Sequence, residues 1–504
     1  MQKRNLLIII LFLFTGTIGW SAERIRQNFD FDWQFRLGEQ GIYKPVQLPH
    51  DWSIELDFNE EVGPESGYLP GGIGYYKKDF NVPASYKGKR VSIVFDGIYH
   101  KATIYLNGQE VDYHRYGYTS FETDLTPYLK YGGKNTLSVK VDHSEKSRWY
   151  TGSGIYRHVW MQVTNPIHVK MWGTYITTPR VSAESAIVSC VTTVANTSAL
   201  TGEIEIMQRI VDAQGNLLKI NGKQYAARTE VVMPENGTKD IAQSFTLSNP
   251  QLWNLEKPYL YRLETILKQK GKVIDRYTTR FGVRTIGFDK DKGFFLNGKN
   301  IKMKGACLHQ DAGCLGVAVP NRSYERRLTI LKEFGANAIR CSHNPPSPEF
   351  LNYCDSIGFL VVDEAFDKWK SGYYEQFFDE CWQQDIRDMI VRDRNHPSIV
   401  LWSIGNELAE ATRKDNVGVE RATLLRDFVH KLEPTRPTML ALAPAYQDKF
   451  ASVTDVVGYN YSELSYIEDK KKHPERIGLI SESYPYYSGL RPVSYTHLRA
   501  HETV

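Results

Sequence analysis

The chain has 504 residues, which is too long for a single hydrophobic core and predicts about three domains. Its 62 basic and 58 acidic residues give a formal net charge of +4, and no run of lysine or arginine forms a basic patch. This balance argues against a nucleic acid as partner. Aromatic residues make up 12% of the chain, which suits either stacking on sugar rings or a large number of β-strands.

Residues 1–22 predict a secretory signal peptide. Lys3 and Arg4 precede the apolar run Leu6–Phe14, and small residues lead to a cleavage point near Ala22. The apolar run is too short for a membrane anchor. We therefore expect a protein that is exported, to the periplasm or the medium, and is free of the membrane after cleavage.

The six cysteines lack the paired spacing of a metal site. They are Cys190, Cys307, Cys314, Cys341, Cys354 and Cys381. We expect buried free thiols, although an exported protein permits disulfides and the sequence alone does not pair these residues.

Residues 23–166 predict an all-β domain. Short alternating runs such as Val91–Phe95 and Thr103–Leu106 are separated by Gly, Asn and Pro. Asn107-Gly108 predicts a hairpin after one of these runs, because a type I′ turn needs positive φ at both central positions.

Residues 167–286 predict a second β domain, with strands such as Ile187–Val194 and Ile204–Ile210. Nothing in this segment demands chemistry, so we expect it to act as a scaffold.

From residue 287 the pattern alternates between strands and helices, which predicts a (β/α)8 TIM barrel over 287–491. The predicted strands are Ile301–His309, Asn337–His343, Phe359–Asp363, Ile399–Trp402, Thr438–Ala443, Val453–Tyr459 and Ile477–Ser481. The predicted helices are Ser323–Phe334, Pro348–Ile357, Phe377–Arg394 and Val419–Leu432. The barrel is expected to lack its last strand and helix.

The final residues, 492–504, resemble a translated sequencing adapter. On that interpretation the natural protein continues beyond about residue 491, and the tail takes no part in the fold. The alternative is a genuine polar tail.

The most specific stretch is Asp393–Glu407, which reads Asp-Arg-Asn-His-Pro-Ser-Ile-Val-Leu-Trp-Ser-Ile-Gly-Asn-Glu. Its apolar run lacks alternation, as in a strand covered on both faces, and its polar end lies where barrel enzymes keep their chemistry. The stretch resembles the acid/base signature of glycoside hydrolase family 2, the family of bacterial β-galactosidases, β-glucuronidases and β-mannosidases. The alternative is a core strand that ends in Asn-Glu by coincidence.

The two β domains carry the same resemblance, which covers about residues 25–491. Gly71–Tyr76 and Ser147–Arg157 resemble motifs of the jelly-roll sugar-binding domain of this family. Leu252-Trp253 and Phe281–Arg284 resemble its immunoglobulin-like β-sandwich.

Hydrolysis of a glycosidic bond with retention of configuration needs two carboxylic groups roughly 5–5.5 Å apart. The resemblance implies that Glu407, after the fourth strand, is the acid/base and that Glu482, after the seventh, is the nucleophile. Glu463, after the sixth strand, is the nearest rival for the nucleophile, and we expect it to lie in a solvated loop.

The resemblance also implies residues that support the two carboxylates. Asn406 matches the asparagine that binds the sugar 2-hydroxyl, and Arg340 is expected to hold the nucleophile carboxylate. His343 resembles a histidine that binds substrate hydroxyls, and His309 and Asp311 are expected to add sugar contacts.

Five further residues lie near these motifs and have predicted roles. Tyr459 matches a tyrosine that donates a hydrogen bond to the nucleophile, whereas Tyr461 is interpreted as loop packing. Trp402 is counted among the supporting residues as a wall or core aromatic. Asp363 and Glu364 are interpreted as structural, paired with Arg340 and nearby helical residues.

No cofactor is expected. Some β-galactosidases of this family bind Mg²⁺ shortly after the segment that corresponds to Asp363–Ala365, but here the sequence continues with Lys368 and Lys370. A hard divalent cation requires oxygen ligands, so a metal site is not predicted there.

The sequence thus predicts a retaining exo-β-glycosidase that acts on a carbohydrate, with β-galactosides as the expected substrates. A β-glucuronidase or β-mannosidase of the same family is the alternative activity. A hypothesis from another class is an inactive carbohydrate-binding fragment, because an incomplete barrel exposes two strand edges.

Overall fold

The computed structural model describes residues 23–145, 147–220, 223–372 and 374–483. The predicted signal peptide and the predicted tail lie outside these ranges. Within them, no helix combines the length and the apolar character needed to cross a membrane.

The first domain is a sandwich of two antiparallel sheets. Its strands are β1 (Ile25–Asn28), β2 (Trp33–Leu37), β3 (Lys44–Val46), β4 (Gly72–Val82), β5 (Arg90–Phe95), β6 (Ala102–Leu106), β7 (Gln109–His114), β8 (Phe121–Asp124), β9 (Gly133–His143) and β10 (Val159–Thr164). The sheet orders are β1-β10-β5-β8 and β3-β2-β4-β9-β6-β7. Strand alternation buries Tyr76, Phe80 and Val82 of β4 in the core. The predicted hairpin at Asn107-Gly108 is confirmed, since both residues have positive φ between β6 and β7.

The second domain is another antiparallel sandwich. Its strands are β11 (Ile167–Val181), β12 (Ser185–Asn196), β13 (Gly202–Val211), β14 (Lys219–Ile220), β15 (Lys223–Gln224), β16 (Ala227–Met233), β17 (Gly237–Ser248), β18 (Tyr261–Gln269) and β19 (Lys272–Phe281). The two sheets have the orders β11-β12-β17 and β16-β13-β18-β19, and β14 pairs with β15. Val188, Phe245 and Leu263 belong to the buried cluster between the sheets.

A small sheet leads into the third domain. Its strands are β20 (Ile286–Asp289), β21 (Gly293–Leu296) and β22 (Lys299–Asn300). Phe294 and Leu296 of β21 belong to the same buried cluster as Leu360 and Val400, which lie at the starts of barrel strands. The small sheet therefore contributes to the core at the amino-terminal end of the barrel.

Over the described residues the third domain is a parallel barrel of seven strands. Its strands are β23 (Gly305–Leu308), β24 (Ala338–Cys341), β25 (Leu360–Glu364), β26 (Ile399–Asn406), β27 (Thr438–Leu442), β28 (Val456–Asn460) and β29 (Gly478–Glu482). They pair in sequence order, as predicted, and every pairing is parallel. Among the described residues β23 and β29 do not pair with each other, and a cavity of about 380 Å³ lies along these two edge strands.

Helices cover the outside of the barrel. They are α1 (Asn321–Glu333), α2 (Pro348–Ile357), α3 (Glu375–Asp393), α4 (Val417–Leu432), α5 (Asp448–Ala451) and α6 (Glu463–Lys472). Helix α3 buries one apolar face, made by Phe378, Trp382, Ile386 and Ile390, which recur every four residues. The prediction that Glu463 lies in a loop is wrong, since this residue begins α6.

The first domain is joined to the barrel by buried hydrogen bonds. Arg157 of the first domain donates from Nη2 to the carbonyl of Pro345 over 2.8 Å. The backbone N–H of Val317 donates to the Asp51 carboxylate over 3.0 Å. These bonds place residues 147–150 of the first domain beside the carboxyl ends of the barrel strands.

All six cysteines lie within the described residues and have free thiols. Cys190, Cys341 and Cys354 are buried, as expected. The prediction of burial is wrong for Cys307 and Cys314, which are exposed, and Cys381 is half-buried.

Candidate active site

Two glutamates lie at the same mouth of the barrel. Glu407 directly follows β26 and has a φ of 46°, and Glu482 is the last residue of β29. The carboxyl ends of parallel strands meet at one edge of the sheet, which brings together residues that are far apart in the sequence.

Arg340 links the groups at this mouth, and its expected contact with Glu482 is present. Its Nη1 donates to Glu482 Oε1 over 2.6 Å, and its Nε and Nη2 donate to Glu364 over 2.9 and 2.7 Å. Nη2 also donates to Asn406 Oδ1 over 2.9 Å. Burial opposes the charge on Arg340, but the two carboxylates outweigh that effect and raise its pKa. The guanidinium thus stays charged while it is 5% exposed.

The surroundings of Glu482 keep its carboxylate ionised. Burial by itself would raise the pKa of Glu482, but the charge of Arg340 and hydrogen bonds from Tyr461 and Arg340 hold the pKa below its usual range. Tyr461 donates its phenolic hydrogen to Glu482 Oε2. An ionised carboxylate with two fixed donors is suited to nucleophilic attack.

The prediction that Tyr459 donates a hydrogen bond to Glu482 is wrong. Tyr459 lies on the outer face of β28, where its hydroxyl donates to Asp469 of α6 and its ring packs against Tyr466. Tyr461 follows the strand and has a φ of 53°, which turns its side chain back over the mouth. The loop-packing interpretation of Tyr461 is therefore replaced by a direct contact with Glu482.

Glu407 contacts groups from the barrel and from the first domain. Its Oε1 accepts from Asn460 Nδ2 over 3.3 Å, and its Oε2 lies 3.9 Å from Arg148 Nη2. Asn460 also donates to Asn406 Oδ1 over 2.9 Å, so a chain of hydrogen bonds connects Glu407 through Asn406 and Arg340 to Glu482.

Two histidines lie beside this network. His343 Nδ1 is 2.7 Å from Glu364 Oε1, and its Nε2 is 3.7 Å from Glu482 Oε1. His309 stacks on Trp149 with ring centroids 5.1 Å apart, and Trp149 meets His343 edge-on. Burial and the neighbouring His343 lower the pKa of His309, so its ring is neutral and can accept or donate a hydrogen bond.

Asn406 has a second set of partners on its other side. Its Nδ2 donates to Asp367 Oδ1 over 3.0 Å, and its backbone carbonyl accepts from Lys368 Nζ over 2.8 Å. Asp367 also accepts from Arg148 and Lys368 over 3.1 and 2.9 Å. Burial would raise the pKa of Asp367, but Lys368, His343 and Arg148 lower it.

The donor set at the mouth does not fit a divalent cation. The ammonium of Lys368 lies against both Asp367 and the carbonyl of Asn406, where it would repel a second cation. Over the ranges that the structure describes, the one cluster with metal-ligand geometry is Asp448, Asp469 and His473. Arg476 Nη1 is 2.7 Å from Asp469 there, and this cluster lies outside the barrel mouth.

Trp402 and Asp363 lie away from the mouth, whereas Asp311 is close enough to His309 to act on its charge. Asp311 accepts from the backbone N–H of Gly313 and stabilises its own turn. Trp402 is fully buried on the outer face of β26 and donates to Glu433, which agrees with its interpretation as a core aromatic. Asp363 also points outward, and burial together with Asp393 raises its pKa well above the usual range.

A cavity of about 180 Å³ adjoins the site where the first domain meets the barrel. Its lining includes Tyr116, Tyr118, Arg148, Trp149, His343, Phe366, Asp367, Lys368 and Tyr374. Sequence reasoning did not assign Arg148, Trp149 or Asn460 to the site. Arg148 and Trp149 belong to the Ser147–Arg157 motif, which was a usable signal, and Asn460 lies between Tyr459 and Tyr461.

We expect Tyr461→Phe to lower kcat/KM by about 10- to 100-fold, the range for loss of a hydrogen bond to a charged group. Without the phenolic donor the pKa of Glu482 rises, so the acidic limb of the pH profile moves to higher pH. The measurement is kcat/KM against pH.

Tyr459→Phe is the matched control. It removes a phenolic hydrogen bond from the same segment, but that bond is made to Asp469. An acidic limb that moves in Tyr459→Phe and stays in place in Tyr461→Phe would contradict the assigned contacts.

The fold and the site together define a class: two β-sandwich domains followed by a parallel barrel with two carboxylates at its mouth. Family models match the sequence over the same three domains. Residues 31–166 match "Glycosyl hydrolases family 2, sugar binding domain", residues 167–284 match "Glycosyl hydrolases family 2", and residues 289–480 match "Glycosyl hydrolases family 2, TIM barrel domain".

The chain is also similar to individual proteins of known family. A beta-galactosidase of Bacteroides ovatus is 40% identical over 92% of this chain and 60% of its own length. A putative beta-glucuronidase of Formosa agariphila is 36% identical over 86% of this chain and 42% of its own length. The crystal structure of a glycosyl hydrolase family 2 member from Bacteroides cellulosilyticus has a TM-score of 0.86 and 39% identity, covering 95% of this chain and 65% of that one.

The chain belongs to glycoside hydrolase family 2. It spans 60% and 42% of the length of the two curated relatives named above.

Proposed function

We propose that this protein is a retaining exo-β-glycosidase. The observation that carries the proposal is the pair of glutamates at one barrel mouth, Glu407 and Glu482, connected through Asn460, Asn406 and Arg340. Glycosidases that retain configuration use two carboxylic groups on opposite sides of the scissile bond.

In the first step Glu482 attacks the anomeric carbon and Glu407 protonates the leaving oxygen. The glycosidic bond breaks, an ester forms between the sugar and Glu482, and the aglycone leaves with the proton of Glu407. Arg340 and Tyr461 hold the attacking carboxylate in position through hydrogen bonds to its two oxygens.

In the second step Glu407 takes a proton from water as that water attacks the anomeric carbon. The ester breaks, Glu482 regains its negative charge and the sugar is released with its original configuration. Asn406 is held from two sides, by Arg340 and Asp367, and would orient the sugar 2-hydroxyl in both steps.

We propose β-D-galactosides as the substrates, with β-D-glucuronides as the first alternative and β-D-mannosides as the second. The beta-galactosidase of Bacteroides ovatus supports the first choice, and the putative beta-glucuronidase of Formosa agariphila keeps the alternative open. A glucuronide carries a carboxylate that needs its own cation, whereas Arg148 and Lys368 at this mouth are both paired with Asp367.

The expected result is a kcat/KM for nitrophenyl β-D-galactoside that exceeds the value for the β-glucuronide and the β-mannoside by about 100-fold or more. The three substrates share one leaving group, so the ratio reports recognition of the sugar. The configuration of the first product, read by NMR, tests retention independently. A larger kcat/KM for the glucuronide would overturn the substrate and leave the mechanism intact.

A carbohydrate-binding role without turnover is the candidate from another class. The observation that favours it is the lack of pairing between β23 and β29 among the described residues, which leaves Arg340, Tyr461 and Glu482 beside a cavity of about 380 Å³. Binding of galactose or a galactoside by calorimetry, without release of nitrophenol, would support this role over catalysis.

We also propose that the protein is exported, on the strength of the charged and apolar segments in residues 1–22. Intact-mass measurement of protein recovered from the periplasm or medium of an expressing bacterium tests this. Recovery from the cytoplasm alone, with residues 1–22 still present, would contradict it.

A further inference from the structure

A second cavity lies at the junction between the second domain and the barrel. It has a volume of about 280 Å³ and is lined by both domains. Two of its barrel residues, Pro397 and Arg436, precede β26 and β27, so it opens at the amino-terminal ends of the strands. The glutamates of the proposed active site lie at the carboxyl ends, on the opposite side of the barrel.

The charged residues that line this cavity are Arg284, Arg394 and Arg436, and the lining contains no acidic side chain. Four threonines, Thr177, Thr178, Thr285 and Thr435, add hydroxyl groups. Such a lining presents hydrogen-bond donors and positive charge to whatever occupies the cavity.

Arg284 is 9% exposed and has no carboxylate partner among the described residues. Its Nε donates to the carbonyl of Pro397 and its Nη2 to that of Ile399, over 2.5 and 2.6 Å. Burial and the neighbouring Arg436 lower the pKa of Arg284 to about 9. A buried cation that is paired only with neutral carbonyls gains from the approach of an anion.

Among the described residues Arg436 is the one of these three arginines with an ion pair, to Glu433 at 3.2 Å from its Nη1, while Asp355 acts on the charge of Arg284 from beyond ion-pair distance. Glu433 is already satisfied, because it also accepts from Tyr175, Trp402 and Thr435. It therefore balances one of the three guanidinium charges and has little capacity for the others.

Arg394 is the least constrained of the three arginines. Its guanidinium lies 4.6 Å from the ring centroid of Tyr175, and its Nη2 reaches the carbonyl of Trp172 at 3.5 Å, near the limit of a hydrogen bond. Its Nε is buried and has no acceptor in the part of the chain that the structure describes. Burial lowers the pKa of Arg394.

We propose that this cavity binds a small oxyanion, as inorganic phosphate or sulfate or as a sulfate or phosphate ester on a saccharide. Guanidinium groups match the geometry of such anions and bind them with two parallel hydrogen bonds. The threonine hydroxyls supply further donors, and the anion would offset the charge that Glu433 leaves unbalanced. Because its ligands come from both domains, a bound anion would stabilise their junction.

The test is thermal unfolding of the purified protein in sodium phosphate, sodium sulfate and sodium chloride at one ionic strength. A ligand that binds only the folded state raises the melting temperature, and sulfate and phosphate also raise it by exclusion from the protein surface. We therefore expect phosphate or sulfate, relative to chloride, to raise the Tm of wild type by about 2 °C or more beyond the rise in Arg394→Gln. An equal rise in wild type and Arg394→Gln would overturn the proposal.

The variant that tests the site is Arg394→Gln. Arg394 makes the fewest backbone hydrogen bonds of the three arginines, so its replacement should disturb the fold least. We expect it to weaken the apparent Kd for sulfate, measured by calorimetry, by about tenfold or more. Arg322→Gln is the matched control, since it removes the same charge from an exposed position on α1. An unchanged Kd in Arg394→Gln, or an equal loss in Arg322→Gln, would refute the site.

A sulfated monosaccharide compared with inorganic sulfate separates the two sources of the anion. If wild type binds the sulfated monosaccharide more tightly than inorganic sulfate, and Arg394→Gln loses this binding, the ligand is a saccharide ester. Tighter binding of inorganic sulfate identifies the free anion. These readouts do not depend on glycosidase turnover, so they stand whether or not the proposed activity is found.

Discussion

We expect Glu482→Gln to lower kcat on nitrophenyl β-D-galactoside by on the order of 10⁴-fold or more, the range seen when a covalent nucleophile is removed from a hydrolase. The amide is close in size to the carboxylate and can still meet Arg340 and Tyr461, so the fold should be retained. What is lost is the ionised oxygen that attacks the anomeric carbon. Single-turnover rates and melting temperature are the measurements.

Glu407→Gln distinguishes the two proposed roles. It should abolish turnover of substrates with poor leaving groups, while a dinitrophenyl glycoside still forms the glycosyl-enzyme, because that leaving group needs no proton. Added azide should then release a β-glycosyl azide from Glu407→Gln and an α-glycosyl azide from a small-residue variant such as Glu482→Ala. Activity that survives Glu482→Gln would show that another residue is the nucleophile.

The second large effect is expected for Arg340→Met. Removing the guanidinium leaves Glu364 and Glu482 without their shared counter-charge, and Glu364 is fully buried. Breaking a buried pair in this way costs on the order of 3–5 kcal/mol in free energy of unfolding. Urea denaturation measures this loss, and kcat/KM should fall together with stability.

The pH dependence of Arg340→Met has a defined sign. In wild type the pKa of Glu482 is held below its usual value of 4.5, so its stabilising contribution is present above that value and is lost as pH falls through the folded pKa. Without Arg340 the folded pKa rises. The acidic limb of activity therefore moves to higher pH, and the stability deficit is largest near neutrality.

Arg392→Met is the matched control for this variant. Arg392 is also buried in the barrel domain and is paired with Asp393 at 2.6 Å, so its loss should destabilise the protein to a similar degree. It is not in contact with Glu482, and the acidic limb should stay in place. A limb that moves equally in both variants would mean that the shift reflects general destabilisation.

Local sequence patterns were sufficient for the order of the domains and for most strands of the barrel. The uniform apolar run before Asn406-Glu407 indicated a strand buried on both faces, and that strand is β26. The change from a period of two to an alternation of strands and helices marked the start of the barrel. These features depend on neighbouring residues, so the sequence carries them directly.

The choice between Tyr459 and Tyr461 shows where local patterns stop being informative. Both tyrosines lie at the end of one predicted strand, and the family motif favoured the first. The structure places Tyr459 against α6 and turns Tyr461 toward Glu482 through a positive φ that non-glycine residues seldom adopt. The path of the chain after β28 decides which hydroxyl reaches the mouth.

By itself the sequence determined the class of the fold and the positions of Glu407, Glu482 and Arg340 on their strands, because periodicity and motifs are local properties. Only the tertiary structure decided which groups meet. Arg340 and Glu482 are 142 residues apart, and Arg148 reaches the barrel mouth from another domain. Such contacts depend on how the strands pair around the barrel and on how the domains pack. No short stretch of the sequence determines either of these.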